Sequence, residues 1–579
     1  MRKALIVSLL TAPLTACVTP RDAAATVEVQ ILAINDFHGA LEPPRASISA
    51  TVPDGSTVAV PAGGAAHLAT AIARLRQGHA NTITVAAGDL TGASPFASSQ
   101  FLDEPAVLAL NQIGLELNAV GNHEFDRGPE ELKRLQDGGC AQHTLRQPCR
   151  VDGQFPGARF RYLAANVRTP TGETLFPATA IRSFGEGRRR VEVGFIGLTL
   201  METPTLVVPS AVAGLTFSDE VATINALVPK LRAEGADAVV VLIHQGVTTK
   251  VGYNDKSCQG VSGDLLPILA KLDPGVDLVV SGHTHAGYVC DYAAIDPARP
   301  LLFTSAGRSG TLVSDITITI DPAAGRVVSR RAENVIVQGV GYTGTAGPIA
   351  VSSDFPLFMA DPQVSALVAR YVAAAEPIAR RVVGRISAAA SRDRNPSGES
   401  PLGSLVADAQ LTATGAEIAF MNSYGLRADL VPAADGTVTY GQLYAVQPFG
   451  NVLQVKGMTG AQIRAVLEQQ FASGSNTAEK PNMLQVSRGF AFTYDLRRPA
   501  GQRIVSVTLE GRPLEDARLY RVGVSNFLAT GGDNFTAFKA GADLGGNTED
   551  IDALEAYFAG APVTPPATGR IIRLDPPPS

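Results

Sequence analysis

The run 27-VEVQILAI-34 passes directly into 35-NDFHG-39, so an apolar segment of strand length delivers Asp36 and His38 to the loop at its end. The arrangement recurs along the chain. 82-TITVAA-87 leads into 88-GDL-90, 237-DAVVVLI-243 into 244-HQG-246 and 277-DLVV-280 into 282-GHTH-285. In 118-NAVGNHEFDRGP-129 a Val-Gly step precedes Asn122, His123, Glu124 and Asp126. Between such runs, which include 191-VEVGFIGL-198, lie 65-AAHLATAIARLR-76 and 219-DEVATINALVPKLRAEG-235. Their apolar residues recur at three and four, the period of a helix packed on one face. Apolar strands alternating with such helices predict an α/β domain with buried strands over residues 27 to 320. In open α/β folds strand ends converge on one edge, where ligands gather.

The chain has 579 residues, more than one core accommodates, and so divides into at least two domains. A net charge of -6 argues against a general binder of nucleic-acid polymers, so any phosphate must meet locally placed cations. The start, 1-MRKALIVSLLTAPLTAC-17, has basic residues followed by an apolar stretch too short to span a bilayer, the pattern of an export signal. Leu14-Thr15-Ala16-Cys17 resembles a bacterial lipobox. That resemblance implies acylation of Cys17 and membrane attachment. Val18 rather than Asp follows the cysteine, which points to the outer membrane, in the periplasm or at the cell surface. Of the four remaining cysteines, Cys140 and Cys149 bracket a short loop and Cys258 and Cys290 share one region. In an oxidising compartment they can form two disulfides in that sequential pairing, with other connectivities left open. They lack CxxC spacing, which argues against a cysteine zinc site.

The Ala-rich stretch 355-FPLFMADPQVSALVARYVAAAEPIARRVV-383 reads as a connecting helix between a first domain, 27–340, and a second, 386–560. In the second, 437-TVTYGQLYAV-446 and 503-RIVSVTLEG-511 read as strands, 402-LGSLVADAQLTAT-414 and 459-TGAQIRAVLEQQF-471 as helices. The tail from residue 562 is Pro-rich.

Imidazole, carboxylate and amide oxygen together suit a divalent ion such as Zn²⁺ or Mn²⁺. One ion takes about four protein ligands, and seven candidates stand at the strand ends. Two ions sharing a carboxylate account for that number. The order DxH, GD, GNHE, H and GHxH resembles the calcineurin-like metallophosphoesterase family. The resemblance implies a four-layer α/β/β/α sandwich, with Asp36, His38 and His285 on one metal, Asn122, His244 and His283 on the other, and Asp89 bridging. It further implies that His123 faces a phosphate or leaving-group oxygen, oriented by Asp126. Glu124 reads as a hydrogen-bond partner of a ligand. His67, His79 and His143 match no motif and read as structural or surface residues.

In the C-terminal half 399-ESPLGSLVADAQ-410, 422-NSYGLR-427, 447-QPFGN-451 and 526-NFLATGGDNF-535 resemble the substrate-binding domain of the 5′-nucleotidase family. With the first motifs, the likeness covers roughly residues 27 to 560. Phe527 and Phe449 offer faces for a base to stack on, and Asp533 a carboxylate for ribose hydroxyls. Asn422 and Arg427 occupy places that bind substrate in the family. Arg392 or Arg394, in 391-SRDRNP-396, adds a guanidinium for phosphate, with the choice between them open. The expected reaction is two-metal hydrolysis of nucleoside 5′-monophosphates, together with UDP-sugars or other nucleotides. Two alternatives stand beside it: a 2′,3′-cyclic-nucleotide phosphodiesterase/3′-nucleotidase, which shares the layout but stacks bases on tyrosines, and a non-catalytic nucleotide-binding surface lipoprotein.

Overall fold

A computed structural model describes residues 26–575 except 53, 145, 345, 346 and 547. The expected signal and Cys17 lie outside the described residues, among which no helix is long and apolar enough to cross a membrane.

The first half builds two six-stranded sheets. One runs in the order Arg326–Ile336, Leu312–Asp321, Val27–Ile34, Thr82–Ala86, Leu117–Ala119, Arg161–Leu163, with its last four strands parallel. The other runs Gly287–Asp291, Leu302–Ala306, Leu278–Ser281, Ala238–His244, Val191–Thr199, Thr179–Phe184, parallel through its middle four. Val29, Ile31 and Ile83 from the first sheet and Phe195, Val240 and Leu278 from the second share one buried cluster, so the sheets pack face to face. Helix Glu220–Ala233 covers the outer face of the second sheet. Helices Ala65–Leu75 and Glu104–Ile113 cover the first. The result is the four-layer α/β/β/α order. Val27–Ile34 is buried at every position but Glu28, which is why it reads as an unbroken apolar run.

The second half holds a five-stranded mixed sheet, in the order Leu484–Val486, Ile418–Asn422, Leu519–Ser525, Leu453–Thr459, Ala542–Asp543, and a separate four-stranded sheet. The connecting helix spans Pro362–Ala379, starting later than the composition suggests. Asp361 sets the start: its carboxylate accepts from the N–H groups of Gln363 and Val364, and Pro362 takes the first helical position. The segment 437–446 corrects the reading above. Only Thr437–Thr439 is strand; Tyr440–Val446 is helix. A capping box between Thr439 and Gln442 outweighs the β propensity of Val438 and Tyr440. One apolar cluster takes in Ile72 and Leu110 from the first half, Tyr371 from the connecting helix and Leu402 and Leu443 from the second half, so the halves share a continuous core. Cys140 pairs with Cys149 and Cys258 with Cys290.

Candidate metal centre

The strand ends of both sheets meet at one edge. Ligand atoms of Asp36, His38 and His285 come within 4.8 Å of one another, and those of Asp89, His244 and His283 do the same. Asp89 joins the groups: its Oδ2 is 3.0 Å from His244 Nε2 and 3.8 Å from His38 Nε2. Two ring nitrogens, His38 Nε2 and His285 Nε2, approach to 3.1 Å. Asp36 Oδ1 and Asn122 Oδ1 are buried and form no hydrogen bond among the described residues. Buried polar oxygens are nearly always partnered, so donors gathered in this way fit two divalent cations.

The surrounding backbone orients these donors. His38 Nδ1 donates to Gly92 O at 2.9 Å and His244 Nδ1 to Ala87 O at 2.7 Å, which turns each Nε2 toward the centre. Burial pushes His38 and His283 down to about 3, so both are neutral at neutral pH and offer lone pairs. His244 moves oppositely: burial opposes its charge, but the Asp89 carboxylate lifts it to about 10. A bound cation would displace that proton. Asn35 Nδ2 donates to Asp36 Oδ2 at 2.7 Å and to Gly307 O at 2.7 Å, tying the first ligand loop to the loop after strand Leu302–Ala306. Asp36, His38, Asp89, His283 and His285 all have left-handed backbone, with φ of 49°, 46°, 52°, 69° and 61°.

Glu124 acts on the loops. Its carboxylate accepts from the N–H groups of Asp89, Leu90 and Gly121 at 2.9, 2.7 and 2.7 Å, clamping two ligand-bearing turns together. Burial, with Asp89 close by, raises it to about 7. The His123 ring lies beside the centre, 5.2 Å from the His38 ring, and its Nδ1 is 2.9 Å from Asp126 Oδ2. Burial works against charge on His123, yet the carboxylates of Asp126 and Asp89 raise it above the ordinary value.

The second half brings its own residues to this edge. The Phe449 ring stacks on His123, with centroids 5.9 Å apart and planes 14° from parallel. The Arg427 guanidinium lies 5.7 Å from the centre of the Phe449 ring. Asn422, at the end of strand Ile418–Asn422, donates from Nδ2 to Asp533 Oδ2 at 2.9 Å, uniting two residues 111 positions apart. Burial lifts Asp533 to about 6. Phe527 is buried in the apolar cluster of this half, its ring tight against Gly532. Arg392 and Arg394 are both exposed, but only Arg392 stands close enough to Arg427 and Arg308 to help lower both guanidiniums, adding to their burial. Arg308 escaped the sequence reading, which looked after strands only for Asp, Asn and His. Its signal was the same one: 307-GRSG-310 follows the buried strand Leu302–Ala306. His67 is buried, with Nδ1 donating to Phe358 O at 2.7 Å, while His79 and His143 are exposed.

The family profile for calcineurin-like phosphoesterases matches residues 29–287, and that for the 5′-nucleotidase C-terminal domain matches residues 382–540. The chain is 33% identical over 565 residues to cell wall protein Lmo0130 of Listeria monocytogenes, covering 92% of this chain but only 66% of that longer protein. It is 25% identical over 599 residues to the 5′-nucleotidase of Diplobatis ommata, covering 95% of this chain and 91% of the relative. The solved structure of a 5′-nucleotidase precursor from Thermus thermophilus superposes with a TM-score of 0.71 at 26% identity, covering 95% of this chain and 100% of that one.

Proposed function

The chain belongs to the 5′-nucleotidase family, with a calcineurin-like phosphoesterase domain followed by a 5′-nucleotidase C-terminal domain, and from that premise we propose that it hydrolyses nucleoside 5′-monophosphates to nucleoside and phosphate. The observation that carries this is the stacking of Phe449 on His123, which sets a base-sized aromatic face next to the metal-ligand cluster. A phosphoesterase centre alone does not fix the substrate, and an aromatic face beside it suits a nucleobase.

Asp36, His38 and His285 would hold one ion, Asn122, His244 and His283 the other, and Asp89 would face both. Bound there, two divalent ions supply Lewis acidity toward phosphoryl oxygens and activate an attacking water. The chain's own residues do the rest. His123, with Nδ1 engaged by Asp126, holds a proton at Nε2 for the oxygen on which charge develops. Arg427 and Arg392 neutralise the phosphate, and Arg392 is favoured over Arg394 by its nearness to Arg427. Asn422 and Asp533 form a polar pair suited to ribose hydroxyls. Phe527 would take the opposite face of the base. Two disulfides support export to an oxidising compartment, and the lipobox at Cys17 supports a membrane anchor.

The test is phosphate release from AMP, UMP, UDP-glucose, 3′-AMP and 2′,3′-cyclic AMP with Mn²⁺, Zn²⁺ or EDTA, alongside His123→Ala. Metal-dependent, His123-sensitive turnover of 5′-monophosphates is expected. Turnover of only the 3′ or cyclic substrates would replace the proposed substrate class, and no turnover of any would leave a binding protein.

A further inference from the structure

Tyr444 lies on helix Tyr440–Val446 of the second half and is buried against the first. Its ring meets Phe96 edge-on at 5.1 Å, and the Arg146 guanidinium lies 5.5 Å over it. Its hydroxyl contacts both Ser99 Oγ and Pro448 O. A tyrosine hydroxyl has one proton, and a carbonyl cannot donate. Tyr444 therefore donates to Pro448 O, at 2.8 Å, and Ser99 must donate to Tyr444. Ser99 Oγ in turn receives Arg127 Nη2 at 3.1 Å and Arg146 Nη1 at 3.4 Å. The proton count fixes one direction for the chain, from guanidinium to serine to tyrosine to carbonyl, and each bond polarises the next.

Both ends of this chain reach the site. Arg127 Nη1 donates to Asp103 Oδ2 at 2.6 Å, the same oxygen accepts from Gly92 N at 3.2 Å, and Gly92 O accepts from His38 Nδ1. At the other end, Pro448 immediately precedes Phe449, whose ring lies on His123. Everything as far as Ser99 and Arg146 belongs to the first half; Tyr444 and Pro448 belong to the second. The Ser99–Tyr444 bond is thus where a hydrogen-bonded path from a metal-ligand histidine crosses to the segment carrying the aromatic face. Arg146, which flanks the crossing, sits in the loop closed by the Cys140–Cys149 disulfide.

We propose that the Ser99–Tyr444 hydroxyl pair is a latch between the two halves that sets Phe449 over His123, making Tyr444 a positioning residue for base-bearing substrates. The latch stands on this geometry alone; its role toward base-bearing substrates rests on the nucleotidase reading. Tyr444→Phe keeps the ring, the Phe96 contact and the Arg146 stacking, and removes only the hydroxyl. Ser99→Ala removes the other partner of the same bond. For each, kcat/KM for AMP should fall about tenfold, as expected for a lost buried hydrogen bond with a charged group behind it. The double variant should lose no more than either alone. Turnover of 4-nitrophenyl phosphate, which carries no nucleobase, should stay within about twofold. Unchanged AMP kinetics, or equal losses on both substrates, would overturn the proposal. Should the wild-type protein leave AMP untouched, the nucleotidase reading fails, and amide hydrogen exchange decides the latch. Uptake at residues 96–103 and 440–451 should then rise together in both variants, and unchanged uptake overturns it.

Discussion

Replacing Gly92 with alanine puts one methyl group at a crowded point beside the centre. Gly92 has φ +81°, and a Cβ built there would lie 2.2 Å from His123 O and 2.8 Å from Asp126 Oδ2, where real contacts begin at 3.0 Å. Two costs follow. Left-handed backbone costs an L residue about 1–2 kcal/mol, and forced overpacking adds about 1–3 kcal/mol. The second cost falls on the site, because the atoms in the way belong to His123 and Asp126 and because Gly92 O orients His38. Relieving the clash moves this group by about 1 Å, a displacement of the size that lowers turnover roughly 100-fold. Gly172→Ala separates the terms: Gly172 has φ +85° with nothing within 4 Å of a built Cβ, so it carries the backbone cost alone. Thermal unfolding and steady-state kinetics at saturating Mn²⁺ should find both variants destabilised but only Gly92→Ala impaired in kcat. A Gly92→Ala enzyme with kcat within about threefold of wild type would show that the peptide between His38 and His123 does not set their geometry.

Asp126→Asn removes the nearest carboxylate holding the His123 imidazolium above its ordinary value. The limb of the kcat–pH profile on which activity is lost as pH rises should move to lower pH, with kcat down about 100-fold; an unmoved limb assigns it to another group. Glu124→Gln replaces one of two accepting oxygens with an N–H₂ facing backbone donors, so the metal-saturated protein should lose about 1–3 kcal/mol, read as a lower Tm. An equal Tm would mean that the clamp on Asp89, Leu90 and Gly121 carries no stability. Asp533, lifted by burial to about 6, is ionised above that pH and neutral below it. The KM for AMP should therefore rise as pH falls from 7 to 5. Substrate phosphate titrates in the same range, so the deciding quantity is the ratio of wild-type to Asp533→Asn KM, which should approach one at low pH.

The apolar runs ending on Asp36, Asp89, His244 and the His283–His285 pair made the first half readable. Strands buried on both faces need near-continuous apolar sequence, and the loops after them need donors the core cannot hold. Segment 437–446 resisted for a local reason: two side-chain hydrogen bonds between Thr439 and Gln442 switch it to helix within a sequence of β-favouring residues. Arg308 and Gly92 resisted because their roles come from distant chain folding next to them. Nothing near Arg308 in sequence announces Arg392 or Asp36, and Gly92 reads as any glycine in a loop. The pairing of Asn422 with Asp533 carried a motif at each end, yet which atoms meet is decided by the parallel pairing of strands Ile418–Asn422 and Leu519–Ser525.

The left-handed backbone at Asp36, His38, Asp89, His283 and His285 bears on how the centre is held. Asp and His tolerate that region better than most residues, so the cost sits near the low end, about 1 kcal/mol each. Five together approach the whole stability of a marginal domain, roughly 5 kcal/mol. Backbone bonds offset part of it: Asp36 N–H donates to Gly88 O, His38 N–H to Asp89 O and His283 N–H to Asp36 Oδ2, each at 2.9 Å. These bonds connect ligand loops to one another rather than to the sheets, so the loops stand or fall together. Cation binding would then favour the strained arrangement as a unit, because relaxing φ at Asp36, His38 or His283 would withdraw a donor from the centre and break a bond to a neighbouring ligand loop.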